Sequence, residues 1–127
     1  MGQLFTTLLL AATLAGNTTA ALGQKASEIY VPIGQTPGLS GKHTLLGRVQ
    51  SVDVGQRSMT VVDSAGSAVA VRADAKTMLW LDRSKLKLPN RKGDFSDCRN
   101  DMTVEVKYRN NDAQAAAVEW IKVQATE

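Results

Sequence analysis

Gly47–Ala73, GRVQSVDVGQRSMTVVDSAGSAVAVRA, is the stretch that decides the fold. Within it, Ser58–Asp63 places Met59 and Val61 on one side and Thr60 and Val62 on the other. Ala68–Ala73 places Val69 and Val71 together, with Arg72 opposite. A period of two in runs rich in valine and threonine specifies β-strands. Val54–Arg57, with Gly55 available for a positive φ, and Ser64–Ser67 read as the turns between strands. Leu45–Asp53 carries apolar residues at 45, 46, 49 and 52. That break in alternation predicts a bulge near Gln50–Ser51 in a long, bent first strand.

Further along, Met78–Leu81 reads as a short apolar fourth strand. Met102–Arg109 alternates cleanly, with Val104, Val106 and Tyr108 on one face and Thr103, Glu105, Lys107 and Arg109 on the other. Asn110–Asp112 is a turn. Ala115–Gln124 returns as a sixth strand through Val118, Trp120, Ile121 and Val123. Many short strands at even spacing predict an all-β protein. We read residues 44–124 as a five- to six-stranded antiparallel OB-like barrel, because closure removes exposed strand edges.

The 127-residue chain has room for a single domain of this kind. Leu4–Ala15 is an apolar run of twelve residues, too short to span a bilayer, which takes about 20. Thr18-Thr19-Ala20 follows with small residues at the positions of a signal-peptidase cut. Residues 1–20 are therefore expected to be a cleaved signal peptide, the protein periplasmic or secreted, and the mature chain not an integral membrane protein. Residues 21–43 form a Gly/Pro-containing arm. Pro32 forbids helix there, and Tyr30, Ile33 and Leu39 give it apolar residues that a solvated linker would not need. We expect the arm to pack along the barrel. Alternatively, Tyr30, Ile33 and Leu39 bind a partner chain or envelope component, as an extended segment adding to a sheet would.

Between the fourth and fifth strands lies Asp82–Asp101, a loop long enough to suggest function. Its first half is basic, with Arg83, Lys85, Lys87, Arg91 and Lys92, and these five are the candidate contacts to an anionic ligand. Its second half is acidic, with Asp94, Asp97 and Asp101, but lacks the spacing of a calcium loop. Leu86, Leu88 and Phe95 are expected to tack the loop down, and Ser96 to cap a helical turn over 96–100.

Catalytic patterns are missing from the sequence. His43 is the one histidine, and no serine sits in a G-x-S-x-G elbow. No phosphate-binding or dinucleotide loop occurs. The single cysteine, Cys98, permits no intramolecular disulfide and no multi-cysteine zinc site. It reads as a partly buried loop residue, with pairing to another chain as the alternative. The net charge of +3 is mild, and only six aromatic residues are present, so neither an electrostatic stripe nor a stacking platform for nucleic acid is indicated. The expectation is a protein that is not an enzyme, needs no cofactor and binds no nucleic acid.

Three resemblances add to this. The series G-x-V-x-S-V-D, M-T-V-x-D, a glycine turn, a valine strand, D-A-x-T and V-E-V-K-Y, over Gly47–Val123, resembles small secreted bacterial β-barrel domains of unknown function. Asn100-Asp101-Met102-Thr103-Val104 stands where their plan has a G-D-x-V-x-V turn. The outline is also similar to the periplasmic bacterial OB-fold family. The opening strands resemble those of the periplasmic copper and silver chaperones, small OB barrels that hold Cu(I) with a histidine, two methionines and a tryptophan. That likeness implies a soft-metal site at His43, Met78 and Trp80, although the family's W-x-x-M-x-M run is absent. The reading from sequence is thus a non-enzymatic exported binding or assembly module for a protein partner or an anionic ligand. The alternative is a periplasmic copper- or silver-binding protein.

Overall fold

The computed structural model describes residues 28–111 and 117–126. Seven strands form there: β1 (Thr44–Asp53), β2 (Ser58–Asp63), β3 (Ala68–Arg72), β4 (Met78–Asp82), β5 (Arg91–Lys92), β6 (Thr103–Tyr108) and β7 (Val118–Gln124). They make one mixed sheet in the order β3-β2-β1-β6-β7-β4-β5. Helical structure among the described residues is confined to single 3-10 turns, and no helix there is long and apolar enough to cross a membrane. The chain is all-β.

The strand count and direction differ from the sequence expectation. The additional strand, β5, has two residues, too short to leave any period in the sequence. The pairing of β4 with β7 is parallel (Leu79 with Ile121, Leu81 with Val123) where an antiparallel barrel was expected. The cause is the link over 73–77. It is a crossover and not a hairpin turn, so β3 stays beside β2 while β4 crosses to β7. The signal peptide expected over 1–20, the start of the arm and residues 112–116 lie outside the described residues.

The bulge falls where alternation failed. The β1–β2 register slips between Val49 and Ser51, so Val49 and Val52 both reach the inner face. Gly47 faces Asp63 across that pair. A Cβ there would lie 2.2 Å from the Val62 carbonyl oxygen, so no side chain fits. The core fills the inner face: Met59 and Val61 from β2, Val71 from β3, Val104 and Val106 from β6, and Ile121 and Val123 from β7. Each such aliphatic side chain contributes ~1.5–3 kcal/mol on burial. Phe95, 1% exposed, closes the core from the long loop.

Local details correct three expectations. In the Val54–Arg57 turn the positive φ falls on Arg57, at 49°, and not on Gly55. The 3-10 turn Phe95–Asp97 is capped by Asp94 and not Ser96: Asp94 accepts from the Phe95 N–H, and Asp97 accepts from the Asp94 N–H at 2.9 Å. A carboxylate at this position starts the turn because it satisfies N–H groups that have no intrahelical partner. Phe95 anchors the loop as expected, but Leu88 is 48% exposed and anchors nothing.

Candidate functional site

Two features stand out, a strap over the outer face of the sheet and a cleft at the end of the inner one. The strap is residues 28–43, the described part of the arm. Its main-chain hydrogen bonds are internal turns, such as Gln35 N–H to Pro32 and His43 N–H to Leu39. The sheet holds it with side chains instead. Fully buried Glu105 of β6 accepts from the Gly34 N–H (3.1 Å), the Ser40 hydroxyl (2.7 Å) and the Thr44 hydroxyl (2.8 Å). Asp82, also fully buried, accepts from the Ile33 and Ser84 N–H groups. Lys122 of β7 donates to the Glu28 and Val31 carbonyls and stands 4.4 Å from the centroid of the Trp120 ring.

Burial pushes the Lys122 ammonium below its ordinary value, and Glu105, Asp82 and Glu28 oppose that shift. For Lys107, burial also acts downward, but hydrogen bonds to Glu28 (2.8 Å) and Glu119 (2.9 Å) outweigh it and hold the ammonium above its usual range. Buried charges are tolerated only when paired and hydrogen-bonded. Here the strap supplies most of the partners. It is a structural closure for the outer face.

The cleft, about 620 Å³ in volume, lies between the long loop and the adjoining ends of β6 and β7. Leu81 and Met102 form part of its floor. Lys85, Arg91 and Arg99 reach it from three parts of the loop, and Asp97 and Asp101 line it too. Lys85, Arg91 and Arg99 are exposed, and none forms an ion pair among the described residues. Loop geometry brings them together. The 3-10 turn Ser84–Leu86 ends at Lys87 in the left-handed region (φ 57°), and β5 then returns along β4 with Arg91 opposite Leu81. Cys98 lies beside the cleft but is buried. Desolvation, then Asp97 and Asp94, push its thiol up to about 12, so it remains protonated and inert.

The sequence candidates divide accordingly. Lys85 and Arg91 meet in the cleft. Arg83 does not join them, because its Nε donates to the Pro89 carbonyl at 2.8 Å. Lys87 is exposed on the αL residue, and Lys92 sits across from Trp80 on the opposite face of β5. Arg99 joins the cleft without having been singled out by the charge run 83–92.

Of the arm candidates, Leu39 is buried and Ile33 is half-buried with its N–H on Asp82. Tyr30, 58% exposed, stacks edge-on against Trp80 at 5.5 Å. The arm's apolar residues thus face this chain's own sheet, with Tyr30 left accessible. The soft-metal set does not converge. Thr44, next to exposed His43, pairs with Lys107, Lys107 with Trp120, and Trp120 with Met78. Three interstrand steps of about 4.8 Å separate the two ends of that row, about 14 Å in all. Among the described residues no group of three His, Cys, Asp or Glu side chains could hold a metal ion.

Compared with known protein families, curated proteins and solved structures, the chain matches none.

Proposed function

We propose that this chain is a non-enzymatic exported binding module with an OB-like barrel, and that it takes an anionic ligand in the cleft of Lys85, Arg91 and Arg99. The convergence of those three cations, unpaired among the described residues, carries the reading. Unpaired cations grouped in one concavity raise the local concentration of anions, and a guanidinium offers paired donors to a carboxylate or phosphate.

The barrel rests on the placement of β3 and β4, adjacent in sequence and far apart in the sheet order. The link between them is tied to both sides. Ala73 N–H donates to Arg57 beside β2, and the Thr77 hydroxyl donates to Val118 of β7 at 2.8 Å. Asp74 receives Arg109 through two hydrogen bonds, of 2.6 and 3.0 Å. The link thereby joins one edge strand, β3, to β4 next to the other edge, although β3 pairs with neither β4 nor β5 and the sheet is not hydrogen-bonded closed among the described residues. Export rests on the apolar leader of residues 1–20. The non-enzymatic reading rests on the sequence, which carries no nucleophile elbow, phosphate-binding loop or dinucleotide loop and whose one histidine lies outside the cleft.

Isothermal titration of the full chain with citrate at low ionic strength tests the cleft. Binding that weakens at least tenfold in Arg91→Ala and fades with added salt is expected. Binding as strong in the Arg91→Ala and Lys85→Ala variants as in the unsubstituted chain would contradict it.

A further inference from the structure

The cleft holds more than cations. Asp97 and Asp101 share it with Lys85, Arg91 and Arg99. Asp97 spends one oxygen on the Asp94 N–H, whereas the Asp101 carboxylate accepts no hydrogen bond among the described residues. Asp101 is also fixed in place. Its φ is 72°, and its N–H donates to the Val49 carbonyl at 2.7 Å. A bare anion attracted by the cations would be repelled by these carboxylates. A ligand that also brings hydroxyl donors would satisfy them.

The remaining polar lining has the same character. The hydroxyls of Ser96 and Thr103 and the amide of Asn100 border the cleft, and none makes a side-chain hydrogen bond among the described residues. Hydroxyl and amide groups both donate and accept, which matches a surface of sugar hydroxyls. Half-buried Met102 offers an apolar strip of the sort that the C–H face of a pyranose covers. The volume of about 620 Å³ falls within the ~300–1,000 Å³ of small-molecule sites and exceeds what a single phosphate needs.

We infer that the ligand of this cleft is an acidic saccharide, whose acid group meets Lys85, Arg91 and Arg99 and whose hydroxyls meet Asp97, Asp101 and the neighbouring Ser, Asn and Thr side chains. This inference rests on the anion-binding reading above and narrows it to a ligand carrying donors as well as charge.

Titration calorimetry of the full chain at constant ionic strength tests it with three probes: trigalacturonate, tricarballylate (three carboxylates, no hydroxyls) and neutral maltotriose. Trigalacturonate is expected to bind at least tenfold tighter than either of the others. Asp101→Asn removes the charge and keeps a residue that tolerates the left-handed region. It is expected to shrink the preference for trigalacturonate over tricarballylate at least threefold. Tricarballylate binding as tightly as trigalacturonate, or a preference unchanged in Asp101→Asn, overturns the saccharide inference and leaves the anion site standing. Maltotriose binding as tightly as trigalacturonate, or no binding of either acid, overturns both.

Discussion

Replacing Glu105 with alanine removes the acceptor for three strap and β1 groups at once: the Gly34 N–H and the Ser40 and Thr44 hydroxyls. It also leaves Lys122, paired across the β6–β7 ladder with Glu105, without that counter-charge. Hydrogen bonds to a charged group contribute about 1.5–3 kcal/mol each. The strap can lift and rehydrate, so the three do not add fully. The removal of one partner from a buried ionic network costs about 3–5 kcal/mol, and that is the expected loss. At about 4–8 °C per kcal/mol for a domain of this size, Tm falls by at least about 12 °C. Both tryptophans of the chain, Trp80 and Trp120, contact the strap, through Tyr30 and Glu28 respectively. Urea unfolding followed by intrinsic fluorescence therefore reads strap and sheet together. Glu105→Gln, which keeps an acceptor and the shape, is expected to lose about half as much. A loss below about 1 kcal/mol in Glu105→Ala, with the native emission spectrum retained, would refute the role assigned to the strap.

Gly47→Ala is expected to destabilise by at least about 3 kcal/mol in denaturant unfolding, at the upper end of overpacking costs, because its Cβ would collide with main chain at Val62 and not with a movable side-chain tip. Cys98 is expected to resist a thiol reagent at pH 8 in the native protein and to react fully in urea, since its thiol is held near 12. The Asp74 carboxyl is held well below its ordinary range by Arg109, first of all. Its folded value is depressed, so its contribution is present above about pH 4 and is lost as pH falls further. Arg109→Ala is accordingly expected to flatten the fall in Tm between about pH 4 and pH 2.

The strands and their inner faces were legible in the sequence because alternation reports which residues share a face. Val104, Val106 and Tyr108 are buried as their phase requires, and the slip at Val49–Ser51 falls where the pattern broke. Alternation does not report whether the second face is covered. Glu105 and Lys107 have the phase of outward residues, yet Glu105 is fully buried because the strap lies on it. The strap was hard to foresee in detail because it docks largely through its main chain, whose amides and carbonyls are the same for any sequence. The cleft was half legible. Lys85 and Arg91 stand in a visible charge run, whereas Arg99 is separated from them by Asp94 and Asp97 and joins them only through the return of the chain at β5 and the Asp94 cap.

Amide chemical-shift mapping of the full chain during citrate titration measures most directly whether the cleft is the binding site. Saturable shifts concentrated at Lys85, Arg91 and Arg99 and the adjoining 96–103 segment, and lost in Arg91→Ala, are the expected result. Shifts spread over Lys42, Lys76, Lys87 and Lys92 as strongly as over the cleft, or no saturation, would contradict it.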